Sequence, residues 1–208
     1  PLGKSTVGQA INFQNHEYII GDLDSFDPKT ANITIFSAGG SVAKNYAKKF
    51  VEAGSYVIDL SSEFRYDDDI PLIIPEINGD IIESLEEPTL IANPNCSTSQ
   101  LLMVLKPIHE KYGIEFLNIA TYQAVSGTGK EAVEELRSQT YESESPESKV
   151  YPKPIAFNVI PQCDIFLDNA FTKEEMKLVW ETKKILDPNI DVQATCARVP
   201  VFNGHSEA

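Results

Sequence analysis

The chain has 208 residues, 42% of them hydrophobic and 23% charged, a globular composition with enough apolar material for a sizeable core. Acidic side chains (31) outnumber basic ones (17), and the formal charge of -14 argues against nucleic acid as a partner, because such a surface repels a phosphate backbone. The longest apolar runs, such as Leu101 to Leu105, are far too short to cross a bilayer, so the expectation is a soluble cytoplasmic protein without a membrane partner.

Strand and helix signals alternate along the chain. Asn32 to Phe36 reads as a buried strand, punctuated by Gly39 and Gly40. Val42, Tyr46 and Phe50 then share one face of a helix over about 42–52, with Gly54 as its stop. Tyr56 to Leu60 and Pro88 to Ala92 read as further strands, an order that predicts a parallel sheet with crossover helices. Beyond Pro94, the spacing of Leu101, Leu102, Leu105 and Ile108 predicts a helix running to Gly113. A β-rich stretch follows from Ile114 to Val125, then a Ser126-Gly127-Thr128-Gly129 turn and a helix containing Val133 and Leu136. Tyr141 to Lys149 is acidic and serine-rich, an expected exposed loop. A helix from Thr172 to Ile185 carries a capping-box signature, Thr172 with Glu175, and Val192 to Val201 again has strand character.

Several residues could carry chemistry. Cys96 follows an Asn-Pro-Asn turn and opens a predicted helix, where unpaired backbone N–H groups and the macrodipole favour a thiolate. By spacing alone, a buried structural cysteine is an equal reading. Cys163 and Cys196 lack that setting and read as inert; three scattered cysteines without a CxxC pair fit neither a disulfide framework nor a zinc site. His205, beside Gly204, could be the base that meets a distant thiol in space, although alone it reads as a surface-loop histidine; His16 and His109 have no supporting context. Ser37 to Ser41, with Gly39 and Gly40, sits between strand and helix, where backbone N–H groups can approach a phosphate or ribose. By itself this motif reads first as a plain tight turn, and Ser126-Gly127 is similarly weak in isolation. Arg65, Lys177 and Arg198 suit anions, while Glu174 and Lys177, one helical turn apart, read first as a surface pair.

The order of these features is more specific than any one of them. SAGGS (37–41), DLSSEFR (59–65), PNCST (94–98), TYQAVSGTGKEA (121–132), AFNVIPQ (156–162), EEMKLVWETKKIL (174–186) and RVPVFNGHSEA (198–208) together resemble the bacterial-type aspartate-semialdehyde dehydrogenase family over nearly the whole chain. The resemblance implies an α/β fold. Residues 1–95 would form part of a Rossmann-type NADP-binding domain, and 96–208 part of a glyceraldehyde-phosphate-dehydrogenase-like catalytic and dimerisation domain. It implies NADPH-dependent reductive dephosphorylation of L-aspartyl-4-phosphate to L-aspartate 4-semialdehyde through a cysteine thioester, in lysine, threonine, methionine and diaminopimelate biosynthesis. Cys96 matches the family nucleophile, His205 its acid–base group, and Gln123 the glutamine that positions the acyl intermediate. Arg198 matches the grip on the substrate carboxylate, Glu174 the residue near its amino group, and Asn95, Lys177 and Arg65 the phosphate contacts. Ser37, Gly39, Gly40, Ser126 and Gly127 fall in stretches that line NADP; no metal is implied, and a homodimer is expected, with tetramers left open.

The family's opening GxxGxVG unit is absent, and on the order of 30 residues of strand, turn and helix are expected upstream, with more beyond Ala208. Competing readings are an N-acetylglutamyl-phosphate reductase, which shares the Cys and His logic, a non-catalytic dimerising paralogue, and a cysteine hydrolase. The Glu174–Lys177 pair and the RVPVFNGHSEA block favour the aspartyl enzyme.

Overall fold

A computed structural model describes residues 1–141 and 148–208, in which the chain forms two compact units. Residues 142–147, most of the serine-rich loop read from sequence, lie outside the described residues.

The first unit comprises residues 1–73 and 79–93. Two short strands, β1 (Leu2–Gly3) and β4 (Gly21–Asp22), pair in parallel and bracket an antiparallel hairpin of β2 (Ala10–Phe13) and β3 (His16–Ile19). Gln14 and Asn15 make its two-residue turn with φ of 49° and 65°, the left-handed geometry that matches the natural twist of a hairpin. The centre of the unit is a parallel sheet in the order β5 (Ile33–Phe36), β6 (Tyr56–Asp59), β7 (Leu90–Ala92). Helix α1 (Gly40–Glu52) crosses between the first two strands and buries Ala43, Ala47 and Phe50. The Phe50 ring meets Phe36 edge-on at 5.4 Å. Gly54, at φ 98°, adopts the conformation that releases the chain from the helix at little cost for a residue without Cβ. A short helix, α3 (Asp80–Glu83), precedes β7.

One expectation fails here. The strand at 32–36 is not buried on both faces: Ile33 and Ile35 are 66% and 63% exposed, and only Phe36 is fully covered. β5 is an edge strand, and α1 covers one face of it; the two isoleucines point the other way, a consequence of the two-residue side-chain period.

The second unit comprises residues 74–78 and 94–208. After the single turn α2 (Pro75–Asn78) comes the 17-residue helix α4 (Cys96–Tyr112), then β8 (Phe116–Gln123), α5 (Lys130–Tyr141), α6 (Lys173–Ile185), β9 (Asp191–Arg198) and β10 (Ser206–Glu207). β8 and β9 run parallel over eight residue pairs, from Phe116 opposite Asp191 to Gln123 opposite Arg198, and β10 joins β8 antiparallel. Alternate residues point to one face: Ile119, Thr121 and Gln123 from β8, and Val192, Ala194, Cys196 and Arg198 from β9. That face packs with Leu101 of α4 and Leu178 of α6 into one apolar cluster. A second cluster gathers Ala132 and Leu136 of α5 with Val125, Tyr151, Ile155 and Ile160. Polar side chains stitch it closed: Glu135 accepts the N–H groups of Lys149 and Val150, and Gln139 those of Ile155 and Ala156.

Both apolar runs end in polar residues at the same place. Gln123 and Arg198 lie at the carboxyl ends of two parallel strands, where α/β sheets characteristically open a crevice.

Candidate active site

The site is built outward from the start of α4. Asn95 is its N-cap, extended at φ -60° and ψ 148°, and its Oδ1 accepts the N–H groups of Ser97 (2.9 Å) and Thr98 (3.4 Å). Cys96 is therefore the first helical residue, and its thiol is exposed while both neighbours are buried. The positive end of the helix dipole favours the thiolate there. The other two cysteines are inside the apolar cluster. Burial pushes the Cys163 thiol up to about 11 and the Cys196 thiol up to about 12, so neither is a nucleophile near neutral pH.

Helix α6 faces this cap with carboxylates. Asn95 Nδ2 donates to Glu174 Oε1 at 3.0 Å, and the Asn95 backbone N–H donates to Glu181 Oε2 at 2.7 Å. Gln123 Nε2 lies 3.1 Å from the same Glu174 oxygen, 3.2 Å from Thr121 Oγ1 and 3.4 Å from Ser97 Oγ, three acceptors for two hydrogens. The second Glu174 oxygen accepts from Lys177 Nζ at 2.9 Å, and Lys177 also donates to Asp164 Oδ2 at 2.7 Å. The Glu174–Lys177 pair, expected on the surface, is thus buried, with side chains 9% and 12% exposed. Burial by itself would raise the Glu174 carboxyl. The Lys177 charge and the hydrogen bonds from Lys177, Gln123 and Asn95 outweigh it and hold Glu174 below the usual carboxylate range. Asp164 is depressed in the same way by Lys177, and Lys177 is raised by its two carboxylates against the opposing effect of burial.

A second group forms around Ala124, the residue after Gln123. Arg198 Nη1 donates to the Ala124 carbonyl at 2.7 Å, and the Ala124 N–H donates to His205 Nδ1 at 3.0 Å. Arg198 is 7% exposed, and its Nε is buried without a hydrogen-bond partner among the described residues. An orphaned guanidinium N–H is costly unless an anion meets it. His205 is half-buried; burial first, and then the Arg198 charge, lower its pKa below the ordinary histidine value. Because Nδ1 accepts a backbone N–H, the neutral ring carries its proton on Nε2.

Gly127 explains how the ring fits. A Cβ there would lie 2.9 Å from both Cε1 and Nε2 of His205 and 3.3 Å from Arg198 Nη1. Backbone bonds from Val125 and Ser126 to the carbonyls of Val201 and Phe202 hold this turn against the segment that delivers His205. Glu207 closes the group: burial raises its carboxyl, opposed by hydrogen bonding with Gln100 and Ser97 of α4.

The structure therefore joins Asn95, Gln123, Glu174 and Lys177 in one hydrogen-bonded set, and Arg198, His205 and Gly127 in another; the two meet at the ends of β8 and β9. Ser126 lies in the same turn as Gly127. Ser37, Gly39, Gly40 and Arg65 belong to the other unit. Gly39 caps α1 at φ 85° with no side-chain cap on the helix, and Gly40 lies where a Cβ would be 3.4 Å from Glu63 Oε2. Arg65 is buried and donates from Nη2 to the Leu60 carbonyl at 3.2 Å. Glu181, Asp164, Ser97 and Glu207 were not singled out from sequence. Glu181 could have been: it falls on the face of Leu178 and Ile185, a carboxylate at a core position.

Among the described residues no group of three or more metal-binding side chains occurs, and no helix is long and apolar enough to cross a membrane.

Two family descriptions match in order. The semialdehyde dehydrogenase NAD binding domain matches residues 2–85, and the semialdehyde dehydrogenase dimerisation domain matches residues 105–208. The chain belongs to the semialdehyde dehydrogenase family. It is 53% identical to an aspartate-semialdehyde dehydrogenase of Shewanella violacea, over 100% of this chain and 63% of that protein. A crystal structure of aspartate semialdehyde dehydrogenase II from Vibrio cholerae, complexed with ASA, superposes with a TM-score of 0.95 at 46% identity. It is covered over 63% of its length by 99% of this chain. The Candida albicans enzyme with NADP gives 0.73 at 25% identity, with 99% of this chain covering 61% of that one. The chain thus spans about three-fifths of the length of these relatives.

Proposed function

We propose that this chain supplies the reacting groups of an NADPH-dependent aspartate-semialdehyde dehydrogenase. Such an enzyme converts L-aspartyl-4-phosphate to L-aspartate 4-semialdehyde and inorganic phosphate, a step leading to lysine, threonine and methionine. The observation that carries the reading is the exposed Cys96 thiol at a capped helix start, joined through Ser97 and Gln123 to the strand ends that present Arg198 and His205.

The Cys96 sulfur attacks the acyl carbon, the carbon–oxygen bond to phosphate breaks, and phosphate leaves with the electron pair, giving a thioester. Arg198, with its orphaned Nε, grips the substrate carboxylate; Glu174, kept ionised by its neighbours, attracts the substrate ammonium. Fixing both ends of the amino acid turns a loose encounter into a reactive pose. A nicotinamide cofactor held beside the site would supply the hydride that the thioester carbon needs. The carbon–sulfur bond then breaks, the aldehyde forms and Cys96 recovers its thiolate. His205, neutral at pH 7 with a proton on Nε2, is assigned the proton transfer: it lends that proton to the tetrahedral oxyanion and takes it back as the aldehyde forms. Asn95, Lys177 and Arg65 are assigned to the phosphate on the family resemblance; Lys177 gives two of its three hydrogens to Asp164 and Glu174.

The turn after β5 fits a dinucleotide. Gly39 has open space around it and α1 lacks a side-chain cap, so its first N–H groups can meet a ligand oxygen. Ser37, Gly39 and Gly40 are assigned to NADP on this ground, and Ser126 and Gly127 on the family resemblance. The matched dimerisation domain supports a homodimer.

In the full-length enzyme, Cys96→Ser should abolish nearly all turnover with the fold intact. Incubating wild type with the acyl phosphate and no nucleotide should leave a mass-shifted acyl group on the Cys96 peptide. Retained turnover, or an adduct on another residue, would refute the assignment.

A further inference from the structure

The N-cap that carries Cys96 has an unusual construction. In a capping box the N-cap side chain accepts the N–H of the third helical residue, and a Glu or Gln at that third position reaches back to the N-cap N–H. α6 shows the complete device: the Thr172 hydroxyl accepts from the Glu175 N–H, and Glu175 Oε2 accepts from the Thr172 N–H at 2.6 Å. In α4 only half is local. Asn95 caps Ser97 and Thr98, but the third helical position is Thr98, which has no carboxylate to return. The missing acceptor arrives from α6, 86 residues later: Glu181 Oε2 takes the Asn95 N–H at 2.7 Å.

Glu181 is wholly buried, on the face of α6 shared with Leu178 and Ile185. A carboxylate taken fully out of water is expensive to keep, and a hydrocarbon of similar size there would commonly serve stability as well or better. Seven residues before it, two turns along the same face, Glu174 binds the Asn95 side chain. The two carboxylates therefore hold one residue by its backbone and by its amide, and that residue immediately precedes the exposed thiol.

We infer that Glu181 is a positioning residue for Cys96, acting through the Asn95 backbone N–H. It completes the cap of α4 from a second helix and fixes the first turn whose N–H groups favour the thiolate. The inference rests on Cys96 being the nucleophile, but its first readouts need no turnover. Of the three cysteines in this chain Cys163 and Cys196 are buried and Cys96 is exposed, so limiting iodoacetamide, read as alkylation of the Cys96 peptide, reports on it.

The test compares Glu181→Gln with Glu181→Leu in the full-length enzyme. Both remove the carboxylate charge, and only glutamine keeps an acceptor for the N–H. Glutamine should retain most of the alkylation rate at pH 7. Leucine should slow it by about fivefold or more and move its pH profile upward. With substrate, leucine should lower kcat by about tenfold or more while KM changes by less than about threefold, because the damage is to the attacking geometry. A folded leucine variant whose alkylation profile and kcat match those of glutamine would overturn the inference. If leucine does not fold, Glu181→Met makes the same comparison. Amide hydrogen exchange in the wild type gives an independent check. The Asn95 N–H, outside the helix ladder, should be strongly protected, and exchange at the rate of an open N-cap would overturn the proposal. Failure of acyl trapping on Cys96 with a persistent glutamine–leucine difference in alkylation would sink the proposed reaction and leave the positioning intact.

Discussion

At the scale of single residues, His205 shows how a loop histidine acquires a defined state. Its Nδ1 is occupied by the Ala124 N–H, its flank by Arg198, and its near side by a residue with no side chain. Gly127→Ala should push the imidazole aside, since a Cβ 2.9 Å from two ring atoms is not tolerated in place. We expect turnover to fall by about tenfold or more with the far-ultraviolet circular dichroism unchanged; an alanine variant of normal activity would show the ring free to retreat. The folded pKa of His205 lies below the unfolded value, so its contribution to stability is complete above about pH 6.5. It is lost as pH falls toward the lower folded pKa. An NMR titration should place the midpoint below that value, and Arg198→Gln should move it upward. Little of this was legible in sequence. Cys96 and His205 stood out through their neighbours, but the Ala124 backbone contact joins residues 81 apart and no local pattern announces it.

Secondary elements were easier to read, because their causes are local. Helix α6 was expected from Thr172 to Ile185 with Glu175 as its capping partner, and both bonds of that box are present. Thr172→Ala should cost about 1 kcal/mol of stability, measured as a lower urea midpoint with the slope unchanged. An unaltered midpoint would mean that neighbouring packing alone holds the helix start. Elements whose role depends on what covers them were read less well. The run Ile33 to Phe36 has the composition of a doubly covered strand, yet two of its isoleucines are exposed; composition reports propensity, and the covering layer is a tertiary matter. The same limit hid the second role of α6. Its Glu174–Lys177 spacing matches countless surface pairs, and only packing against α4 and β9 shows that the pair is buried and that Glu181 reaches another helix.

At the scale of the chain, its charge of -14 sets a condition on any anionic substrate. An anionic substrate needs a local basic group to overcome the unfavourable field. In the second unit Lys177 is matched by two carboxylates, Asp164 and Glu174, whereas Arg198 keeps a buried Nε–H without a partner among the described residues. Recognition of the substrate carboxylate then depends on short-range geometry at Arg198, while the diffuse negative field opposes approach. These two influences respond differently to salt. Repulsion across a Debye length is screened strongly between about 10 mM and 100 mM ionic strength, whereas a buried guanidinium contact is screened little. For the acyl phosphate, kcat/KM should therefore rise about two- to threefold over that range, with kcat unchanged, in an inert salt such as potassium chloride. A steady fall instead would mean that Lys177 leaves its carboxylates and that a steering basic field exists. Lys177→Met would then abolish the fall, whereas if Arg198 alone makes the charge contact it would leave the salt response in place.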